Sequence, residues 1–484
     1  MPCGSRPLYY KQEVAINETA GAPDSAKRPP LAAMVWVLAA VKLGLHLATA
    51  TAYGWHGDEL YFQACADRLA WGYVDHPPLS IALLEAWAAL GGDGLLWTRI
   101  PAALAGAAVV MGTALIAREL GGQARAQALA ALVVLAAPVM LAMHGYASMN
   151  AYDGAFWTLA LWLSLRLAAK PGAKRTWLSL GLVVGLGLLN KWTMAWLGAG
   201  LLVGCLATRQ RRLLATPWPW VAMAVSALII TPHLVWQVRH DWPTLGFFAG
   251  LTRDQLESVW PLGPLKLVLE QASAMNPVAA PVWTIGLYVL LRDGTRAGAR
   301  ILGIVFVVAA AILTINGAAR VYYLSLAQPP LIAAGAVWIV DRAASLRRGR
   351  LHLSLYVASV ALIGAVLSPL TLRLLPPEWL VAYQAVVNPL EGHSKEGRLD
   401  DHFSLYFGWP ELAEDVAAIY AELPAEQREG AHLFALSYAD AAALERYGPA
   451  HGLPPVFSGH NSYWLWGPPE PQPAAVIIVG GYGV

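Results

Sequence analysis

The sequence predicts a polytopic, all-α membrane protein of about 11 transmembrane helices, followed by a small α/β domain on the outer side. Hydrophobic residues make up 57% of the 484 residues, charged residues only 13%, and the mean hydropathy is +0.48. Several apolar runs reach the length of roughly 18 residues that crosses about 30 Å of hydrocarbon as a helix. From residue 376 onward the composition changes, with Glu, Asp, His and Pro replacing the long apolar runs.

Apolar runs between charged residues predict where the membrane helices begin. The expected starts lie near residues 32, 97, 126, 151, 177, 193, 217, 277, 301, 322 and 351. Only Asn190 and Lys191 separate the fifth run from the sixth. One long, broken segment is therefore the alternative at that point, and it would change the orientation of everything after it.

The distribution of basic residues predicts the orientation. Five loops that return to the side of the N-terminus hold fifteen Lys and Arg residues, against seven in the opposite segments. The positive-inside rule then places residues 1–30 in the cytoplasm as a tail and residues 31–375 in the membrane. It places the long loops 53–96 and 237–275, and the domain at 376–484, outside. The net charge of +2, with scattered basic residues, predicts no nucleic-acid partner.

Within residues 376–484, the pattern predicts two helices and one strand. Residues 410–423 and 438–447 have helical periodicity, and residues 474–479 are β-like. A small α/β unit is the expected fold.

Two acidic motifs lie in the first long loop. HGDELYF, residues 56–62, contains the adjacent acids Asp58 and Glu59, and GYVDHPPL, residues 72–79, contains Asp75 and His76 before two prolines. A solvated loop or a helix cap is the ordinary interpretation of the first pair. Consecutive prolines favour a stiff, extended backbone, which would hold Asp75 and His76 near the interface. A purely structural His76 is the alternative.

This order of motifs resembles the bacterial relatives of dolichyl-phosphate-mannose protein mannosyltransferases and of the lipid A aminoarabinose transferase, which share the GT-C fold. The resemblance extends through GLGLLNKW at 185–192, AARVYYLSLAQPP at 318–330 and the Tyr152-Asp153 pair. In the C-terminal region it includes FGWPEL at 407–412 and SGHNSYWLWGP at 458–468. One departure is Asn190, where a small hydroxyl residue is expected.

The resemblance implies a glycosyltransferase of the bacterial inner membrane. Such an enzyme moves a sugar from a polyprenyl-phosphate donor to a protein, lipid or glycan acceptor at the outer face. It implies that Asp58 is the base that activates the acceptor and that Glu59 orients either Asp58 or the acceptor. Because the donor already carries a stabilised leaving group, the enzyme chiefly needs this base and cations for the phosphate.

The remaining expected site residues bind substrate. Lys191 and Arg320 are the candidates for the phosphate, because each lies at an outer membrane boundary. Snorkelling to the headgroups is the alternative for both. Asp153 is expected to line the sugar pocket or to pair with a cation, with a helix N-cap as the alternative. Tyr152 and Tyr322, together with Asp75 and His76, complete the expected binding set.

No cofactor is assigned from the sequence, and a divalent metal is left open. Five residues could converge on one: His76, Glu85, His233, His240 and His460. They have no tight ligand spacing such as His-x-x-x-His. Lys42, inside the first span, is costly in lipid and is expected to face protein or a cavity.

Two other functions fit a polytopic chain. A transporter or lipid flippase predicts ionisable residues deep in several spans, whereas here, apart from Lys42, they are expected in outer loops and at outer helix ends. A non-catalytic membrane assembly protein would tolerate loss of Asp58. Activity of the purified protein separates these interpretations.

Overall fold

The computed structural model describes residues 29–256, 263–316, 321–387, 399–468 and 473–480. Most of these residues are helical. The first half of the described chain contains ten helices: α1 Ala33–Ala48, α2 Gly57–Ala66, α3 Leu79–Gly91, α4 Leu95–Glu119, α5 Ala124–Leu135, α6 Pro138–Ala142, α7 Met149–Ala169, α8 Lys174–Asn190, α9 Thr193–Leu206 and α10 Pro217–Arg239.

Further α-helices and three short strands follow. The helices of the described second half are α11 Pro243–Leu256, α12 Gly263–Ala274, α13 Ala280–Arg292, α14 Ala299–Asn316, α15 Val321–Ser325, α16 Gln328–Ala344, α17 Gly349–Leu367, α18 Pro377–Val387, α19 Asp401–Ser404, α20 Trp409–Glu422, α21 Ala425–Arg428, α22 Tyr438–Tyr447 and α23 Ser462–Trp466. The strands are β1 Ala431–Ala435, β2 Val456–Ser458 and β3 Ala475–Val479.

The helix starts agree closely with the apolar runs. Helices α4, α10 and α17 begin at Leu95, Pro217 and Gly349, against expected starts near 97, 217 and 351. Among the described residues, three helices are long and apolar enough to cross a membrane, or four if the bent pair Leu265–Ala274 and Pro277–Arg292 counts as one span. The number of 11 crossings, and the sides on which the loops lie, stay predictions.

The short runs on either side of Lys191 form two helices. Helix α8 ends at Asn190, Lys191 is extended with φ −159° and ψ 142°, and α9 begins at Thr193. The break places the Lys191 side chain at the junction of two helices rather than on a helix face.

Small residues allow the helices of the bundle to approach closely. Helix α13 packs against α16 through Gly286 and Gly335, where an added Cβ would overlap the carbonyl oxygens of Leu331 and Val282. A close backbone approach of this kind is the usual packing mode of helices in membranes.

The C-terminal region has the α/β character predicted for it. Its three strands form a parallel sheet in the order β2-β1-β3. Helices α20 and α22 cover the sheet through Ala413, Val416 and Leu444. That this region is a separate outer domain stays a prediction.

The first loop and the C-terminal region share one hydrophobic core. Helix α2 packs directly against α22, and Tyr61 of α2 is buried together with Trp409, Ala439 and Tyr463. This shared core joins the HGDELYF motif to the far end of the chain. Tyr61 and Ser462, for example, are 401 positions apart.

Candidate active site

The HGDELYF motif begins helix α2 through a reciprocal cap. His56 is the N-cap residue, and its Nδ1 accepts the Asp58 backbone N–H at 3.0 Å. Glu59 Oε2 accepts the His56 backbone N–H, also at 3.0 Å. Two acids in the first turn also complement the positive end of the helix dipole. The motif therefore fixes the direction in which both carboxylates leave the helix.

Glu59 forms a buried ion pair with Arg99 of α4. Arg99 donates through Nε to Glu59 Oε1 at 2.9 Å and through Nη2 to Oε2 at 2.6 Å. The Ala147 backbone N–H also donates to Oε1, at 2.8 Å. Burial alone would raise the pKa of Glu59, but Arg99 and these hydrogen bonds hold it below its ordinary value. Both oxygens of Glu59 are thus occupied by protein donors.

Asp58 has a different environment. Its side chain is 26% exposed, and Oδ1 accepts the hydroxyl hydrogen of Tyr438 at 2.7 Å. The Asp58 charge, followed by burial, raises the pKa of Tyr438 well above its ordinary value, so this phenol remains a donor. His56 Nδ1 lies 3.8 Å from Oδ2, but it accepts the Asp58 N–H and is unprotonated there. One carboxylate oxygen of Asp58 therefore lacks a close donor among the described residues.

Asp75 joins this group through an aromatic residue of α2. The Tyr61 hydroxyl lies 2.7 Å from Asp75 Oδ1 and 2.8 Å from Ser462 Oγ. The Tyr61 ring lies 5.0 Å, centroid to centroid, from that of Tyr438. The two acidic motifs therefore meet, with the C-terminal region between them. We name Asp58, Tyr61, Asp75, Tyr438 and Ser462 the acid cluster.

His76 lies next to two members of the acid cluster, Asp75 in sequence and Tyr61 in space. It is fully buried, its Nδ1 lies 2.9 Å from the Pro77 carbonyl oxygen, and its ring contacts Phe62 and Tyr73. Its Nε2 has no hydrogen-bond partner within the ranges that the structure describes. These contacts suit a positioning role beside Asp75, and a direct role in binding substrate stays a prediction.

Lys191 lies in a second polar group. Its Nζ donates to Asn150 Oδ1, and it faces the rings of Tyr323 at 4.4 Å and Tyr322 at 5.1 Å. The residue is 7% exposed. A buried ammonium group with protein partners differs from a snorkelling side chain, which reaches the headgroup layer. Asn150, Lys191, Tyr322 and Tyr323 form what we name the lysine cluster.

Asp153 lies near the start of α7 and contacts α9. Its Oδ2 accepts the Thr193 hydroxyl at 2.5 Å, whereas its buried Oδ1 has no hydrogen-bond partner in the described part of the chain. The N-cap of α7 is Ser148, so Asp153 is not a capping residue. Tyr152, the preceding residue, is half-buried. Asp153 therefore contacts the start of α9, directly after the α8–α9 break that holds Lys191.

The segment from Tyr146 to Asn150 connects the two clusters. The Tyr146 ring stacks on His56 at 4.3 Å, next to Asp58, while Asn150 contacts Lys191. Four residues of extended chain span at most about 14 Å. His56, next to Asp58, and Lys191 therefore contact two residues of one segment whose ends are no farther apart than that. Arg320, the second expected phosphate ligand, lies outside the described residues.

The described residues do not bring metal ligands together. No group of three or more His, Cys, Asp or Glu residues in them is placed to hold a metal ion. His233 Nδ1 instead lies 2.8 Å from the Trp71 carbonyl oxygen, and His240 Nδ1 lies 2.8 Å from that of Trp236. The suggested convergence of His76, Glu85, His233, His240 and His460 is therefore not found.

Several residues of this region carry no signal in the sequence pattern. The sequence pattern marks Arg99 only as one of the seven basic residues in the predicted outer segments, and Tyr438 only as the first residue of a predicted helix. Arg373 donates to the carbonyl oxygens of Thr49 at 2.9 Å and Gly145 at 2.7 Å, and so ties α1 to the turn before α7. A charged side chain within or next to an apolar segment requires partners, so the position of these arginines beside apolar runs is the one feature of the sequence that points to their contacts.

Lys42 faces protein, as a charged residue inside an apolar helix should. It is fully buried, and its Nζ donates to the Met140 carbonyl oxygen at 2.5 Å. Its helix also carries His46, which is buried and whose two ring nitrogens have no hydrogen-bond partner among the described residues. Within the predicted spans, buried ionisable residues therefore include His46 as well as Lys42, contrary to the expectation from the sequence.

The bundle with its C-terminal α/β region defines the chain as a membrane protein of the GT-C fold. The structure superimposes on ArnT from Cupriavidus metallidurans bound to undecaprenyl phosphate, with a TM-score of 0.55, 17% identity and coverage of 88% of this chain and 90% of that one. It also matches the archaeal oligosaccharyltransferase AglB from Archaeoglobus fulgidus in complex with an inhibitory peptide and a dolichol-phosphate. That match has a TM-score of 0.51, 13% identity and coverage of 87% and 63%.

Within this fold, residues 75–236 match the family described as dolichyl-phosphate-mannose-protein mannosyltransferase. The chain is 30% identical over 145 residues to an undecaprenyl phosphate-alpha-4-amino-4-deoxy-L-arabinose arabinosyl transferase of Pseudomonas fluorescens. That alignment covers 29% of this chain and 26% of the relative, so the match spans about a quarter of the relative's length. The resemblance expected from the motifs is confirmed.

Proposed function

We propose that the chain is an integral membrane glycosyltransferase that transfers a hexosyl or pentosyl group from a polyprenyl-phosphate donor to an acceptor hydroxyl. The observation that carries this proposal is the partly exposed Asp58 carboxylate, held at the start of α2 with one oxygen bound by Tyr438. The names of the similar proteins support the donor class, since one solved relative is bound to undecaprenyl phosphate and another to a dolichol-phosphate.

Asp58 acts as the general base. Its free oxygen accepts the proton of the incoming hydroxyl as the acceptor oxygen forms a bond to the anomeric carbon. The bond between that carbon and the phosphate oxygen breaks in the same displacement. By analogy with single-displacement glycosidases, an in-line attack inverts the anomeric centre. Glu59 positions Asp58 through the cap of α2 and its ion pair with Arg99.

Lys191 acts on the leaving group. Negative charge grows on the departing phosphate, and a buried ammonium group stabilises it more strongly than an exposed one would. The Tyr322 and Tyr323 rings hold this cation in place without neutralising it. Asp153, which contacts the start of α9, binds sugar hydroxyls in this proposal through Oδ1, which has no hydrogen-bond partner among the described residues. Arg320 remains a proposed second phosphate ligand.

The acceptor side is formed by the acid cluster and the C-terminal region. Tyr438 binds Asp58 directly, and Asp75 joins them through Tyr61, whose ring packs against that of Tyr438. The positive-inside distribution supports placing this cluster at the outer face of a bacterial inner membrane, with a cytoplasmic N-terminus. The acceptor is a protein, a lipid or an envelope glycan that carries a free hydroxyl group.

The test is transfer of radiolabelled sugar from polyprenyl-phosphate donors in membranes that contain the full chain. We expect the wild type to transfer label and Asp58→Asn to lose at least about a hundredfold in rate, the low end for a general base. Asp67→Asn is the matched control, because Asp67 is an exposed acid at the other end of α2. It should transfer at the wild-type rate.

Equal transfer by the wild type and Asp58→Asn would contradict the role of Asp58 as base. Movement of labelled lipid across the membrane, with no transfer to an acceptor, would contradict the glycosyltransferase and favour a flippase. Protein levels are matched by immunoblot, so that a lower transfer rate cannot result from a smaller amount of protein.

A further inference from the structure

An arginine-lined groove lies away from both clusters, between the start of α5 and the turn that joins α16 to α17. Its volume is about 440 Å³, within the range of ligand pockets in proteins. Four arginines line it: Arg125, Arg347, Arg348 and Arg350. The remaining lining residues are apolar and lie between Val340 and Leu353. We name this cavity the arginine groove.

The arginine groove has no counter-charge of its own. Its lining contains no Asp or Glu. All four arginines are exposed, and none is ion-paired with a carboxylate within the described part of the chain. A neighbouring groove differs, since Asp341 lines it together with Arg296 and Arg342. Four arginines that line one groove without an acid are suited to a phosphate, because a guanidinium group binds phosphate oxygens in bidentate fashion.

The groove opens at the end of a lipid-facing span. Helix α17 begins at Gly349, and the segment Gly349–Leu370 is long and apolar enough to cross a membrane. Only 11% of its most apolar 18-residue stretch is buried inside the protein. Leu351 and Leu355, in its first two turns, are more than half exposed, at 54% and 58%. Leu351 also lines the groove itself. Charged and apolar surfaces therefore meet at one helix end.

We propose that the arginine groove binds the phosphate headgroup of an anionic membrane phospholipid, whose acyl chains lie along the exposed apolar face of α17. The apolar face identifies a lipid rather than a free phosphate ion, because a soluble anion makes no use of it. Basic pockets between membrane helices bind anionic headgroups in this way. This lipid site is separate from the lysine cluster and does not depend on the proposed transfer reaction.

The experiment counts lipids that remain bound to the purified full chain in native mass spectrometry. Phosphatidylglycerol is the anionic probe and phosphatidylcholine, with the same acyl chains, is the neutral probe. The groove variant is Arg348→Gln/Arg350→Gln. The matched control is Arg211→Gln/Arg212→Gln, which removes two exposed arginines from the loop between α9 and α10. Both variants change only exposed side chains, so neither should impair folding.

We expect the wild type and the control to retain phosphatidylglycerol in preference to phosphatidylcholine. The groove variant should bind phosphatidylglycerol about thirtyfold more weakly, because it removes two basic residues that each contribute about 1 kcal/mol at an anionic surface. Equal retention of the two lipids, or equal losses in both variants, would overturn the proposal. So would displacement of the lipid by millimolar inorganic phosphate, which would identify a site for a soluble anion.

Discussion

The Tyr438 hydroxyl donates to Asp58 Oδ1 at 2.7 Å, across a sequence separation of 380 residues. Asp58 lies in the first loop, next to the membrane helices, and Tyr438 begins a helix of the C-terminal region. The contact is supported by the core that α2 and α22 share. The C-terminal region therefore contributes directly to the surroundings of the proposed base.

Tyr438→Phe tests this contact. Loss of the hydroxyl frees Oδ1 and lets the carboxylate rotate, so we expect the rate of sugar transfer to fall about tenfold, the typical effect of a hydrogen bond to a charged group. Stability should change little, because Asp58 is partly exposed and water replaces the lost donor. Steady-state rates and the apparent melting temperature in detergent are the two measurements.

Tyr463→Phe is the matched control for that substitution. Tyr463 also donates to a carboxylate within the same core, Glu445 Oε2 at 2.6 Å, but it makes no contact with Asp58. Its transfer rate should stay near that of the wild type. Equal rate losses in the two variants would attribute the effect to general loosening of the C-terminal region.

The Glu59–Arg99 pair predicts a large effect on stability. Both side chains are at most 2% exposed, so Arg99→Leu leaves an unpaired carboxylate in the protein interior. We expect destabilisation of about 3–5 kcal/mol, the usual cost of removing one partner of a buried pair. The double variant Glu59→Leu/Arg99→Leu should recover part of this loss, and thermal unfolding in detergent measures both. A single variant as stable as the wild type would contradict the burial of the pair.

The same pair predicts a pH dependence. The pKa of Glu59 lies below its ordinary value in the folded protein, because Arg99 and backbone donors outweigh the effect of burial. Ionised Glu59 therefore contributes stability above the ordinary glutamate pKa of about 4.3, and this contribution is lost as the pH falls through the lowered value. Thermal midpoints should drop across that acidic window in the wild type. Glu59→Gln should show a smaller drop.

Lys191 predicts a change in donor binding. Lys191→Met removes the buried cation that we assign to the phosphate, and we expect the KM for a polyprenyl-phosphate donor to rise at least about tenfold, with a loss of kcat as well. Lys191→Arg keeps the charge and should retain part of the activity. A KM unchanged in Lys191→Met, measured over a full range of donor concentrations, would rule out Lys191 as the phosphate ligand.

Packing between α13 and α16 predicts a purely structural effect. An alanine Cβ at Gly286 would overlap the Leu331 carbonyl oxygen, which belongs to the backbone and cannot move aside alone. We expect Gly286→Ala to cost about 1–3 kcal/mol or more, read as a lower melting temperature. Gly198→Ala on α9 is the control, since nothing lies within 4 Å of its added Cβ. Equal melting temperatures for the two variants would contradict the close approach.

The sequence predicts the helices better than it predicts the site. Apolar runs give the helix starts to within a few residues at α4, α10 and α17, because each run reports directly on burial in protein or lipid. The helix at 438–447 and the strand at 474–479 also agree with α22 and β3. The motifs identify Asp58 and Asp75, but no pattern pairs Asp58 with Tyr438, or Glu59 with Arg99. Such pairs join distant positions, and hydrophobic periodicity carries no information about them.

The sequence by itself determined that the chain is a helical membrane protein with an acidic loop motif and a resemblance to GT-C glycosyltransferases. These properties follow from local composition and from motifs of a few residues. Only the tertiary structure decided that both oxygens of Glu59 bind Arg99 in a buried ion pair, whereas one oxygen of Asp58 has no close donor among the described residues. The two acids are adjacent in the chain and identical in charge. Their different environments arise because the helix turn directs Glu59 toward Arg99 and Asp58 toward Tyr438 and a more exposed surface.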